Sequence, residues 1–145
     1  MLIPLALTQI FYVANACYCM STALIKISLL LQYTRVYDRG TALNTASKIL
    51  TVFSAIWGMA YSIIAWVPCI PVHMFWDRTP TSNATCFGYG SLIPAEFAAT
   101  YESHSGVNMV LDILILAIPI PIYFKASTRS KSRVALSTLL LMGAM

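Results

Sequence analysis

The stretch Ile49-Leu-Thr-Val-Phe-Ser-Ala-Ile-Trp-Gly-Met-Ala-Tyr-Ser-Ile-Ile-Ala-Trp-Val67 decides the fold, because it runs nineteen residues without one charged side chain. A helix rises about 1.5 Å per residue, so a run of this length nearly crosses the ~30 Å hydrocarbon core of a bilayer. Working outward, a second run at residues 107–124 holds Asp112 as its sole charge, and a third within residues 5–34 holds only Lys26. A fourth opens at Val134 and is still apolar at Met145. Spans are therefore read at 10–33, 49–68, 106–124 and 134–145, within a single transmembrane unit over residues 1–145. The last is too short to cross as a helix, so the chain reads as truncated there. The expected fold class is all-α, a polytopic transmembrane helical bundle.

Composition agrees. Hydrophobic residues make up 59% of the 145 and charged ones 10%, well outside the balance that gives a soluble domain its polar surface. The first basic residue is Lys26, so the positively charged start of a cleavable signal peptide is missing. The first helix then acts as its own insertion signal, or the true start lies upstream. The formal charge of +4 does not point to nucleic acid, because the charges sit in loops between spans.

Those loops set the orientation. Arg35, Arg39 and Lys48 lie in the loop at 34–48; Lys125, Arg129, Lys131 and Arg133 lie in the loop at 125–133; the loop at 69–104 carries only Arg78. Basic residues collect on the cytoplasmic side, so the loops at 34–48 and 125–133 are read as cytoplasmic and the loop at 69–104 as extracellular or lumenal. Asn83-Ala84-Thr85 fits an N-glycosylation acceptor, which functions only on that outer side. Cys69 and Cys86 also lie there, in an oxidising compartment. A bridge between them closes a loop of about 15 residues, worth roughly 3 kcal/mol in the chain-entropy model. Cys17 and Cys19, near the outer end of the first helix, are rival partners, and free thiols are the remaining alternative. Trp66 and Trp76 flank the outer boundary, as interfacial aromatics do.

Within the first helix, Thr8, Tyr12, Asn15, Cys19, Thr22, Lys26 and Tyr33 recur at spacings of four and three, with Leu29 filling the gap. They share one face. That face is either buried against neighbours through interhelical hydrogen bonds or forms the wall of a polar cavity. Lys26 favours the cavity, since a charge in hydrocarbon costs at least ~2.5 kcal/mol on insertion scales. Snorkelling of Lys26 to the cytoplasm is disfavoured, because helical side chains lean toward the helix N-terminus. In the second helix, Ser54, Gly58 and Ser62 make a small-residue stripe that permits close packing. In the third, Asn108 and Asp112 share a face, and Pro119 marks a kink or the helix's cytoplasmic end. Counting from the helix ends, Lys26 and Asp112 differ in depth by about 7–8 Å. Either the long Lys stem closes that gap in a salt bridge, or the two have separate partners, or Asp112 is protonated.

Three stretches together resemble one family, the fungal rhodopsin-domain membrane proteins. Lys26 followed by Ser28-Leu-Leu-Leu-Gln-Tyr-Thr-Arg-Val-Tyr37 is similar to the end of their third helix. Cys69-Ile-Pro-Val-His-Met-Phe-Trp-Asp77, with Cys86 following, is similar to their second outer loop. Asn108, Asp112, Pro119-Ile-Pro121 and the Arg129-Ser-Lys131 loop are similar to their fifth helix and its exit. Lys125-Ala-Ser departs from the family's Lys-Leu-Gln, which leaves the subfamily open. The resemblance implies a seven-helix, receptor-like bundle of which this chain holds helices three to five and part of six. Family members include receptor-like proteins and membrane proteins encoded in secondary-metabolite clusters. It does not imply a chromophore: the retinal lysine of light-sensing rhodopsins is on the last helix, and Lys26 is not at that position. No cofactor is expected.

Three functions follow as expectations. One is a receptor-like protein that binds an external small-molecule or lipid-like ligand and couples to a cytoplasmic G protein. Its interior polar residues would be Lys26, Asp112, Asn108, Asn15 and Thr22, and its coupling residues Arg35, Arg39, Arg129 and Lys131. Another is a transporter with Lys26 and Asp112 on its path. The third is an accessory protein or enzyme of fungal secondary metabolism. Catalytic signals are thin. His73 and His104 lack metal-ligand spacing, Cys17-Tyr-Cys19 reads as packed thiols, and Glu96 and Glu102 read as solvated loop residues. The partners implied are a lipid bilayer, a ligand and a G protein.

Overall fold

The computed structural model describes residues 2–77 and 84–120. Three helices dominate: α1 (Leu2–Val36), α2 (Ala42–Trp66) and α3 (Pro94–Ala117). A two-stranded antiparallel hairpin joins α2 to α3, formed by β1 (Cys69–Ile70) and β2 (Thr85–Cys86), with Cys69 opposite Cys86. Short 3-10 helices at Val72–Phe75 and Gly88–Gly90 complete the connection. The chain thus runs up, down and up between two ends, one carrying the hairpin and one carrying the α1–α2 turn.

Both α2 and α3 begin ahead of their apolar runs, α2 at a polar cap and α3 at a proline. The Thr41 hydroxyl accepts from Asn44 N and starts α2 at Ala42, inside the segment read as the loop 34–48. Gly40, at φ +91°, makes the turn that an L side chain would resist. Pro94 opens α3 at its first position, where a missing N–H costs nothing. One turn in, the Glu96 carboxylate accepts from Gly88 N at 3.3 Å and from the Ser91 hydroxyl at 2.7 Å. Residues 94–104 are therefore helix, and Glu96 and Glu102 are helical residues rather than loop ones. At the other end α3 stops at Ala117, two residues before the buried Pro119.

Packing follows the periodicities of the sequence. The buried face of α1 carries Ala16, Cys19, Lys26, Leu30 and Tyr33, the same stripe on which the polar residues recur. The buried stripe of α2 is Ser47, Ser54, Gly58 and Ala65. A Cβ placed on Gly58 would run into the Ala23 Cβ of α1, so the two backbones meet at closest range there. At the turn end, Leu30, Tyr33, Tyr37, Ile115 and Ile118 form one cluster; toward the hairpin, Ala16, Cys19, Ala65 and Tyr89 form another. The outward faces are apolar too, with Leu24 and Ile25 of α1 and Ile49, Val52, Ile56, Met59 and Ile63 of α2 exposed. Such continuous apolar surface suits lipid, not water. Two of the helices are long and apolar enough to cross a membrane, α1 over Ala6–Val36 and α2 over Ala42–Trp66.

Candidate functional site

Lys26 and Asp112 meet. The Lys26 ammonium lies 3.0 Å from an Asp112 carboxylate oxygen, tying α1 to α3. The depth difference counted along the sequence is bridged by the long lysine stem. The two ends are unlike: the Lys26 side chain is 7% exposed and that of Asp112 58%. A cation so deep within a helical bundle is tolerable only because its counter-ion is in contact.

The other polar residues of the interior divide into those turned inward on their own helix and those left open. The Thr22 hydroxyl donates to the carbonyls of Tyr18 and Cys19 one turn back, and Asn108 Nδ2 donates to the His104 carbonyl at 2.8 Å. Asn15 instead lines a recess of ≈ 260 Å³ between α1 and α3, together with Phe11, Tyr18, Tyr101, His104 and Ser105.

His104 is the interior residue that spacing did not single out. It is 4% exposed and belongs to α3, not to a loop. Its ring stacks on Tyr61 at 4.8 Å and meets Tyr18 and Tyr89 edge-on at 6.3 and 6.4 Å. Beside it the Tyr61 and Ser103 hydroxyls share a 2.6 Å hydrogen bond that joins α2 to α3. A signal was present in the sequence: His104, Asn108 and Asp112 recur every four residues, one face of a helix. Reading residues 69–104 as loop broke that series at its first member.

The hairpin closes one end of the bundle. Cys69 and Cys86 are disulfide-bonded, and Cys17 and Cys19 are free. Gly88, at φ +56°, packs on Ile64, and Gly90 packs on the Pro68 carbonyl; neither site has room for a side chain. This tight return inserts Tyr89 between the helices, where the Cys19 thiol donates to its hydroxyl at 3.8 Å. Burial first, then the neighbouring Cys19, holds the Tyr89 phenol well above the usual tyrosine range. Tyr12 of α1 anchors the rest of the loop. Its hydroxyl donates to the Trp66 carbonyl at 2.7 Å, and its ring touches Trp66, Phe75 and Trp76.

At the opposite end, Asn44 Nδ2 donates to the carbonyls of Thr34 and Tyr37 at 2.9 and 3.2 Å. It thereby satisfies acceptors that the end of α1 leaves open. Arg35, in the last turn of α1, and Arg39 are exposed at this end. Asn83, Arg129 and Lys131 lie outside the described residues. Among the described residues, no three His, Cys, Asp or Glu side chains gather to hold a metal.

The model of the fungal rhodopsin domain matches residues 3–145. The chain belongs to the fungal rhodopsin domain family. It is an all-α helical bundle of that family and a membrane protein. It is similar to "Phomoidride biosynthesis cluster protein H" of a fungal species (strain ATCC 74256), at 28% identity over 101 residues. That match covers 68% of this chain and 32% of the relative, so the chain spans about a third of the length of the curated relative it matches. No solved structure matches. Within this family member, then, an ion pair buried at its lysine end, an aromatic-walled recess and a disulfide-tied plug lie along one bundle.

Proposed function

We propose that this fungal rhodopsin domain protein is a multi-pass, receptor-like membrane protein that takes up an external cue at its disulfide end and relays it to a cytoplasmic partner. The observation that carries the reading is the Lys26–Asp112 pair. An ionisable pair at this depth in an apolar bundle marks an interior for binding or switching rather than a lipid-facing wall. More than half of the Asp112 carboxylate is open, which at such depth suits a polar cavity. The plugged disulfide end fits the outer side, and the exposed Arg35 and Arg39 fit the cytoplasmic side. A G protein is the partner class this reading names.

A second reading draws on the relative, whose name places it in a biosynthesis cluster. By analogy this chain would serve fungal secondary metabolism as a transporter or accessory membrane protein, with Lys26 and Asp112 on a solute path. One experiment separates the two. The protein is reconstituted into sealed vesicles with a fungal G protein, and nucleotide exchange and solute uptake are followed together. Receptor coupling predicts faster exchange, lost in Arg35→Glu with Arg39→Glu. Uptake without any effect on exchange would turn the assignment to transport.

A further inference from the structure

The α1–α3 recess has three properties that together specify an occupant. Its walls are aromatic, with Phe11, Tyr18 and Tyr101 each half-exposed along its rim. It also presents the His104 ring, which is 4% exposed, packed among tyrosines, and without a hydrogen bond to either ring nitrogen among the described residues. Neither ring nitrogen is among the fully enclosed polar atoms without a partner, so the ring edge is open to a ligand hydroxyl. Finally, the recess carries no free charge: the polar groups around it are Asn15, Ser105, His104 and the tyrosine hydroxyls. The charges nearest along the same groove, Lys26 and Asp112, are spent on one another. Along α3, Asp112 lies two helical turns below His104, roughly 12 Å at 1.5 Å per residue.

We propose that this recess is a binding site for a small, uncharged aromatic molecule bearing a hydroxyl, a phenol, whose ring lies among Phe11, Tyr18 and Tyr101 and whose hydroxyl bonds His104. At ≈ 260 Å³ it is smaller than the usual range for drug-sized ligands, about 300–1,000 Å³, which limits the occupant to one or two rings. A carboxylate is disfavoured, because no unpaired cation faces it. An aliphatic alcohol is disfavoured, because it forgoes the contacts of three aromatic walls. Asn108 lies between the recess and the ion pair on the same face of α3, so a bound phenol sits directly above the link from α1 to α3. The proposal rests on the receptor reading only for what binding does next; binding itself requires no signalling partner.

The test uses the whole chain in lipid nanodiscs, with empty nanodiscs as the blank, and follows fluorine NMR of three probes: para-fluorophenol, fluorobenzene and para-fluorobenzoate. Saturable binding in the order phenol, then fluorobenzene, then benzoate is expected. His104→Phe should weaken the phenol by about tenfold, the loss of one hydrogen bond, while leaving fluorobenzene unchanged. Tyr101→Ser, at an exposed rim position, should weaken both. Circular dichroism and an intact Cys69–Cys86 bridge verify folding in each variant. Phenol and fluorobenzene binding equally, benzoate binding best, variants that leave phenol affinity intact, or signals no different from empty nanodiscs would each overturn the site. Because no G protein is present, failure here leaves the coupling experiment independent.

Discussion

Lys26 is buried and Asp112 is more than half exposed, so the two ends of one ion pair should answer unequally to mutation. Asp112→Asn leaves a buried ammonium without its counter-ion and should cost about 2–3 kcal/mol. Lys26→Met leaves a carboxylate that a polar cavity can still hydrate, and should cost about 1 kcal/mol. The double substitution should be more stable than Asp112→Asn alone, since it removes both charges together. Thermal melts of the three variants in nanodiscs measure this, and strictly additive losses would reject the coupling. A larger loss for Lys26→Met would instead place Asp112 against hydrocarbon. Tyr37 offers a second test. Its hydroxyl is buried without a hydrogen-bond partner among the described residues. Burial, and then Tyr33 beside it, pushes its phenol from 10.0 up to about 12. A raised value means the folded state disfavours the phenolate. The stability it contributes is full below pH 10 and falls as the pH rises toward about 12. Tyr37→Phe keeps the ring, removes the orphaned hydroxyl, and should be neutral to about 1 kcal/mol more stable at pH 7. It should also lose less helicity between pH 10 and 12, the window in which the unfolded chain's phenol ionises while the folded one stays protonated; an unchanged alkaline profile would argue against it.

Among the elements, α1 and α2 are held at their crossing by the absence of side-chain bulk. Gly58→Ala drives a methyl group into Ala23 and should destabilise by about 1–3 kcal/mol. Adding Ala23→Gly should restore most of that, because the contact needs one missing Cβ and not a particular helix to supply it. Unfolding midpoints of the single and double variants decide the point. Part of this stripe was legible in advance, since Ser54, Gly58 and Ser62 repeat every four residues; Ser54 and Gly58 are buried and Ser62 is only half-buried. So was the face of α1 that turns inward. Helix ends were not legible from hydropathy, which reports where lipid can lie and says nothing of where hydrogen bonding stops. Thr41, Asn44 and Glu96 act at those ends through one or two hydrogen bonds each, and all three fell in segments read as loops.

In the molecule as a whole, the composition, the apolar runs and the family resemblance were enough for an all-α membrane bundle. The meeting of Lys26 with Asp112 and the Cys69–Cys86 bridge were among the alternatives left open, and the fold selects one of each. The cluster of His104 with Tyr18, Tyr61 and Tyr89 could not be assembled from spacing. It depends on a 3-10 turn carrying Tyr89 into the bundle, and on two glycines whose close contacts only the folded chain reveals. The bundle has a disulfide end and a turn end, and the account requires the membrane to lie between them. The most direct measurement places single cysteines at Leu92 and at Arg39, both exposed, with Cys17 and Cys19 replaced by serine. Intact cells are treated with a membrane-impermeant thiol reagent. Labelling at position 92 in intact cells, and at position 39 only after permeabilisation, is the predicted result. Labelling of both positions from one side, or recovery of the chain as a detergent-free soluble monomer, would contradict it.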